Sequence, residues 1–393
     1  MPTQMTSIKR RRLAAISTLL LGAIVSTKAA AENPVEPDSA DSGSSGAAPP
    51  FTIGMEPNLR NEKMPGKFQR GNILAVPVPV SNPTLGTGLI ATAGYYWDQT
   101  EEQSKVQPPS LTGIGAMYAD SESWALGLGQ SAYWDENNWR LRAAVGYADL
   151  TLPLLVTDLL SIPVEIDWSL KGGLAFAQIS RRVAGHWYLG LQGRYVNVDQ
   201  DFSIDIGSNN FDLFPDIEAV SLGPSVEFDS RDTLNAPQQG RFFKFSALAT
   251  RSIGSSDLSY EAYDLEIRSY HQLANPLVFA WRLQGCTRDD DAELWDACQI
   301  GLRGFATTDY MGQSSMLGEV EARWQFSKRW GAVAFAGAGK IDEAFRLGGD
   351  DDVVSYGIGM RWMVSPKNRV NVRLDYGRSR DSEALHLFVG EAF

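Results

Sequence analysis

The residue whose surroundings most need an explanation is Arg303, in the segment Gly301-Leu302-Arg303-Gly304-Phe305. A guanidinium carries five N–H donors in a fixed plane and pairs with carboxylates through two parallel hydrogen bonds. Here it stands among glycines and apolar residues, in a long loop between two strand-like runs. A loop of an ordinary soluble domain gives no reason for this combination. The explanation must therefore come from the structural elements that surround the segment.

The chain has two cysteines, Cys286 and Cys298, and both precede Arg303 in the same loop. A zinc site needs more ligands than these two, and no histidine is near them. In an oxidising compartment the pair predicts a disulfide that closes a loop of about a dozen residues. Such a bond contributes roughly 3 kcal/mol in the chain-entropy description.

No other group of residues predicts catalysis or metal binding. The three histidines, His186, His271 and His386, share no metal-ligand spacing, and no G-x-S-x-G nucleophile elbow occurs in the chain. We therefore expect no enzyme activity, no cofactor and no metal. The formal net charge of −12 argues against a nucleic acid as partner.

The N-terminal residues 1–31 have the three parts of a signal peptide. Basic residues at 9–12 precede a short apolar run, 13–25, and the small residues 29–31 offer a cleavage site. Residues 32–70 are rich in Ser, Gly, Pro and acids, which predicts a disordered linker and a periplasmic lead-in. We expect the folded part to be 71–393. It contains no apolar run of the length of a membrane-spanning helix.

From residue 73 onwards, short runs with period-two alternation recur. Near the C-terminus, Val354, Tyr356 and Ile358 alternate with small or polar residues, which places the two sets on opposite faces of a sheet. A soluble sandwich is one interpretation. The export signal and an even strand count favour a closed barrel whose apolar face meets lipid. The predicted strands lie near 73–80, 88–97, 110–119, 124–134, 139–150, 166–181, 186–198, 218–230, 240–252, 258–271, 276–286, 313–327, 330–340, 353–364, 369–379 and 384–393.

The connections between these strands alternate in length. One set is short, as at 135–138 and 274–276, and the other is mostly longer, as at 287–312 and 341–352. Short periplasmic turns and long external loops are typical of outer-membrane barrels. The prediction is thus an all-β, sixteen-stranded antiparallel transmembrane β-barrel in a Gram-negative type of outer membrane.

Several segments together resemble the superfamily of bacterial surface antigens, which includes BamA/TamA-like barrels and the barrels of two-partner secretion. Leu302-Arg303-Gly304-Phe305 is similar to its V/L-R-G-F/Y motif. The resemblance covers about 71–393, and the other segments that carry it are Asp229-Ser230-Arg231-Asp232 with Pro237 and Gly240, the first hairpin with Pro77-Val78-Pro79 and 82–86, and the last hairpin from Arg373 to Phe393.

The resemblance implies that the loop with Arg303 folds into the lumen and that its guanidinium meets a lumenal carboxylate. An arginine buried there requires such an acceptor, and the inward faces nominate Glu319, Glu321 and Asp375. The family's F-x-D-x-G segment corresponds here to 335–339, where Gly337 replaces the acid. This departure makes Glu321 the preferred partner. The family's periplasmic recruiting domains have no counterpart before the first strand.

The first and last strands meet at a seam, to which we assign Pro77, Pro79 and Phe393. Proline has no N–H to donate, so pairing at the seam should be weak and could open laterally. The hypothesis is a barrel that assists insertion or passage of a polypeptide or lipid through this seam. Its expected partners are outer-membrane lipid, an unfolded polypeptide or lipid client, and the barrel-assembly machinery for its own insertion.

Two other functions are compatible with the sequence. A passive pore for small solutes would be lined by Glu319, Glu321, Arg323, Arg361 and Arg373, and the inserted loop would plug it. An outer-membrane lipase is the third possibility. The absence of any Ser/His pair at a telling spacing argues against it.

Overall fold

Sixteen long strands form the computed structural model of the chain, each antiparallel to the next, and the first strand also pairs with the last. The structure describes residues 73–82, 84–156, 164–204, 210–211, 216–233, 236–253, 258–344, 352–365, 369–380 and 382–393. The strands are β1 (Ile73–Asn82), β2 (Gly86–Tyr96), β3 (Leu111–Ala119), β4 (Trp124–Trp134), β5 (Trp139–Val156), β6 (Val164–Ala184), β7 (Trp187–Ile204), β8 (Ile217–Asp229), β9 (Gly240–Ser252), β10 (Ser259–Ala274), β11 (Leu277–Arg288), β12 (Met311–Trp324), β13 (Trp330–Ala344), β14 (Asp352–Ser365), β15 (Val370–Arg378) and β16 (Glu383–Val389).

The closed sixteen-stranded barrel confirms the predicted fold class. The strand boundaries differ mainly at the long-loop end. There β5, β6 and β7 continue further than the alternation indicated, so the predicted loops 151–165 and 199–217 are partly strand. The predicted signal peptide and linker, 1–31 and 32–70, lie outside the described residues.

The two faces of the barrel have the reverse composition of a soluble sheet. On β14, Tyr356 and Ile358 are 53% and 66% exposed on the outer face, whereas Ser355 and Arg361 are 1% and 5% exposed on the inner face. Charged side chains thus point into the lumen and large apolar ones point outwards, as expected where the outer face contacts lipid.

Aromatic pairs stand on the outer face next to the short turns. Trp134 and Trp139 stack across the β4–β5 turn with ring centroids 6.2 Å apart, and Trp330 and Trp362 stack on β13 and β14 at 6.3 Å. Rings of this kind collect where a membrane meets water. They mark one edge of the apolar band.

Helical structure is limited to short pieces in the described part of the chain. These are α1 (Gln103–Val106) and two 3₁₀ turns, Leu294–Asp296 and Thr307–Asp309, both in the loop between β11 and β12. Among the described residues, no helix combines the length and the apolar character needed to cross a membrane.

Candidate functional site: the lumenal loop and the barrel seam

The loop between β11 and β12 is tethered near its start. A disulfide joins Cys286, on the inner face of β11, to Cys298 in the loop, which confirms the predicted pairing. Cys298 and Gln299 then form a two-residue strand against β12, opposite Gly312 and Met311. The tether and this short ladder direct the following residues along the inner wall.

The guanidinium of Arg303 contacts all three carboxylates that the sequence nominated. Its Nη2 and Nε bond to Glu319, its Nη2 lies 2.6 Å from Glu321 Oε1, and its Nη1 donates to Asp375 Oδ2 at 2.9 Å. Glu321 is therefore one partner among three. Burial alone would lower the pKa of Arg303, but the three carboxylates outweigh that effect and raise it above its usual range. The group is a fixed cation.

Each of these carboxylates also pairs with an arginine of the wall. Glu319 accepts from Arg282 at 2.8 Å and Glu321 from Arg323 at 2.7 Å, while Asp375 pairs with Arg361. Removal of one member would leave a charge unpaired in a shielded interior, which is strongly destabilising. The network therefore holds the loop and four wall strands, β11, β12, β14 and β15, as one unit.

Glycines on β13 make room for the apolar residues of the loop. A Cβ at Gly337 would lie 2.7 Å from Leu302 Cδ2, and one at Gly339 would lie 2.8 Å from Ile300 Cδ1. Leu302 thus occupies the space in which the resemblance implied an acid. The ring of Phe335 compensates in part, since the guanidinium carbon of Arg303 lies 3.4 Å from its centroid.

The loop main chain comes very close to the wall at Gly304. This residue has a φ of +113°, and a Cβ on it would lie 2.9 Å from the backbone nitrogen of Arg378. Three side chains bond to the loop backbone here. Ser355 Oγ donates to the carbonyl of Arg303, Ser382 Oγ donates to the carbonyl of Gly304 at 2.9 Å, and His386 Nε2 accepts from the N–H of Gly304 at 3.0 Å.

A second anchor holds the earlier part of the loop against a different part of the wall. Asp296 pairs with both terminal nitrogens of Arg194 at 2.6 and 2.7 Å and accepts from the hydroxyl of Tyr260 at 2.6 Å. Burial would raise the pKa of Asp296, but Arg194 and Arg288 outweigh it and hold the pKa below its usual range. Sequence reasoning missed this anchor. The available signal was a group of five acids between the two cysteines, of which Asp296 is one.

The seam between β1 and β16 is joined far less than its neighbours. All ten residues of β1 pair with β2, whereas in the described part of the chain β1 and β16 share one pair, Ser81 with Leu387. Pro77 and Pro79 are exposed and sit in the β1–β2 ladder. A ladder pair centred on proline cannot use that residue's own amide, so the flanking residues make the bonds to β2. Both prolines therefore turn the donor-free side of their backbone towards β16.

Phe393 does not belong to the seam, and this assignment was wrong. Strand β16 ends at Val389, and Gly390, with a φ of +100°, turns the chain inwards. The Phe393 ring packs on Tyr270 and Ala280, on β10 and β11, and its main-chain oxygen accepts from Arg323 Nη2 at 2.7 Å. The predicted strand 384–393 is confirmed as far as Val389 and was predicted too long beyond it, because the alternation of residue types continues past the turn.

The same turn explains Glu391. In a straight continuation of β16 this acid would stand in the outward row of Leu385 and Leu387, but beyond Gly390 it points inwards and pairs with Arg361 at 2.8 Å. The segment 229–232 is also less exposed than a solvated turn would be. Arg231 is 2% exposed, pairs with Asp229 at 3.0 Å and stacks over Phe242, so it fixes the β8–β9 turn.

Comparison with known proteins agrees with this architecture. Residues 189–393, just over half of the chain, match the Omp85 superfamily domain. No curated protein matches the sequence. Among solved structures, the chain is similar to BamA from Haemophilus ducreyi lacking POTRA domains 1-3, with a TM-score of 0.54 and 13% identity over 82% of this chain and 70% of that one.

Two CdiB barrels are similar to the same degree. CdiB from Acinetobacter baumannii has a TM-score of 0.54 and 12% identity over 81% of this chain, and CdiB from Escherichia coli has 0.53 and 10% over 82%. The matches span 59% and 63% of those two chains, which is less than two thirds of their length. At such identities the likeness concerns the fold alone. Together with the match to the family domain, it places the chain in the Omp85 superfamily.

Proposed function

We propose that this barrel is a non-enzymatic protein of a Gram-negative outer membrane that assists insertion or translocation of a polypeptide or lipid through a lateral seam between β1 and β16. The observation that carries the proposal is that, among the residues that the structure describes, a single pair joins these strands, against ten pairs between β1 and β2. The signal peptide would deliver the chain to the periplasm, and the barrel-assembly machinery would insert it.

The chemistry of the seam supports this function. A strand edge with unused backbone groups is a template for another strand, and a lipid-facing edge cannot satisfy those groups with water. Opening the seam costs little here because few hydrogen bonds join it and because Pro77 and Pro79 have no N–H to donate. A client segment entering the gap would find unused carbonyl acceptors on β1 and an edge on β16.

The test is a barrel whose seam can be closed covalently. Ser81 and Leu387 are direct partners, so S81C/L387C brings two thiols within reach of a disulfide. The protein is reconstituted in phosphatidylcholine vesicles with two probes, an unfolded eight-stranded outer-membrane barrel and a fluorescent phospholipid. We expect the parent to accelerate folding of the first or transfer of the second, and the oxidised variant to lose that acceleration.

Two controls make the result specific. The parent treated with the same oxidant and reductant shows the effect of the native disulfide, and S81C alone shows the effect of substitution. Reduction of S81C/L387C should restore the activity. Full activity of the locked barrel would show that clients do not pass through the seam.

A plugged passive pore is the second candidate. It is favoured by the charged inner faces of β12, β14 and β15 and by a loop that binds to walls on different sides of the lumen. Planar-bilayer conductance separates the two functions. A plugged pore should be nearly silent as the parent and should conduct steadily once residues 289–310 are replaced by a short Gly/Ser linker.

A further inference from the structure

We propose that the loop is a strap that holds the seam closed from inside the lumen. Its main chain bonds to both sides of the gap within four residues. The N–H of Gly304 donates to His386 on β16, and the N–H of Thr307 donates to Thr84 Oγ1, in the turn between β1 and β2, at 3.0 Å in both cases. The hydroxyls of Thr84 and Thr307 also lie 3.3 Å apart.

These bonds matter because the seam has little else. The direct ladder between β1 and β16 consists of the pair Ser81 and Leu387 in the described residues. The strap adds one main-chain bond on each side, and Ser382, beside β16, donates a further one to Gly304. Bonds through the loop are thus comparable in number with those made directly by the two strands.

The position of the strap is fixed, because the residues at its start are bound to the barrel wall. Arg303 is 5% exposed and bound to carboxylates on β12 and β15. Gly304 lies against Gly377 and Arg378, where a Cβ on either glycine would come within 3 Å of backbone atoms. The loop position is therefore set by the barrel wall, and the seam strands are held relative to that position.

His386 serves as an acceptor, which defines its state. To accept from the Gly304 N–H, the imidazole must be neutral and carry its hydrogen on Nδ1. The charged groups facing it are Arg303 from the loop and Arg373 and Asp375 from β15. The bond requires an acceptor lone pair at the position of Nε2. The side-chain carbonyl of glutamine supplies such an acceptor, whereas leucine has none.

The consequence is coupling between the loop and the seam. Displacing the loop should loosen both seam strands, and opening the seam should release the loop, since such a linkage is reciprocal. The role of this coupling rests on the proposed function, in which the seam opens for a client. The coupling can be disproved independently of that function, because its test measures hydrogen exchange in the barrel without any client.

The test is amide hydrogen exchange of the barrel in phosphatidylcholine nanodiscs, read by peptide mass spectrometry. H386L and T84V each remove one acceptor of the strap, whereas H386Q and T84S keep one. We expect H386L and T84V each to speed exchange in both β1 and β16 about fivefold, the factor for one net hydrogen bond. H386Q and T84S should match the parent, and the β4–β5 hairpin should be unchanged in all variants.

The double variant gives the decisive comparison. If one strap holds both strands, cutting it twice adds little, so H386L/T84V should exchange no faster than the faster single variant. Effects confined to the substituted strand, and adding in the double variant, would overturn the proposal.

A locking variant covers the case in which H386L fails to fold. T84C/T307C replaces two hydroxyls that already touch, and its oxidised form should slow exchange in β16, although neither substitution is on that strand. Unchanged β16 exchange in the oxidised form would also overturn the proposal.

Discussion

At the scale of single residues, the lumen is governed by paired charges. Arg303 shares Glu319, Glu321 and Asp375 with arginines of the wall. Removal of any member would therefore leave an opposite charge buried without its partner. Exposed ion pairs contribute little to stability. The side chains of Arg303 and its three carboxylates are at most 6% exposed, so loss of a partner should be severe.

R303A should lower the free energy of unfolding by about 3–5 kcal/mol, the range for breaking a buried ion pair. R303K keeps the charge but cannot reach three carboxylates in one plane, and we expect it to fall between R303A and the parent. Urea unfolding in detergent micelles, followed by the heat-modifiable shift on gels, measures both. An unfolding midpoint of R303A equal to that of the parent would show that the network adds no net stability.

Gly337 is a residue where this chain departs from its family and packs differently. Restoring the acid with G337D should destabilise the barrel by about 1–3 kcal/mol, because the new Cβ meets Leu302. L302A creates the missing space, so G337D/L302A should recover part of the loss. A double-mutant cycle of unfolding free energies gives the coupling. Additive effects would mean that Leu302 does not occupy the site in the membrane.

Asp296 gives the loop a pH dependence of known sign. Its pKa is depressed in the folded state, so its pairing with Arg194 stabilises the anchor above the unfolded pKa of about 3.9. This stabilisation is lost as the pH falls through the lower folded value. D296N should release the anchor at neutral pH and abolish the acid-induced change.

The fluorescence of Trp295, beside Arg194, reports this anchor. Its emission is obtained as the difference between each protein and the same protein with W295F. The parent should show a red shift only below about pH 4, whereas D296N should be red-shifted throughout. If D296N and the parent have the same acid profile, other carboxylates control the loop.

At the scale of elements, alternation predicted the strands because a lipid-facing barrel must alternate wherever it spans the membrane. It did not predict how far β5 and β6 continue, since at that end the sense of the alternation reverses. Trp168 is buried on the inner face of β6 and packs with Phe202 and Leu294, whereas Asp167 and Lys171 are exposed. The turn at Gly390 was missed for a similar reason. Alternating letters continue past it, and only a positive φ ends the strand.

The candidate site was predictable to the extent that it follows from charge. An arginine in an exported barrel needs acids, and the inward faces supplied Glu319, Glu321 and Asp375. The bonds that join the loop to the seam were not predictable, since the loop contributes the backbone N–H groups of Gly304 and Thr307, which carry no sequence signal. His386 was visible only as one scattered histidine.

At the scale of the whole molecule, the described strands form one closed barrel in which the interface between β1 and β16 is the weakest, and two prolines of β1 account for part of that weakness. The backbone nitrogens of Pro77 and Pro79 face β16, and they carry no hydrogen to donate. P77V/P79V should return two donors to the seam at positions where valine suits a strand. We therefore expect more pairing between β1 and β16, a higher midpoint of heat-induced unfolding, and slower exchange of β16 amides.

The matched control is P224V, which replaces an outward-facing proline of β8, away from the seam. It tests whether valine stabilises any strand of this barrel, so it should leave β16 exchange unchanged. Because the seam is proposed to be the path of clients, P77V/P79V should also slow the vesicle assay, while P224V should not. A stabilised barrel with undiminished activity would separate seam pairing from function and would leave the strap as a purely structural device.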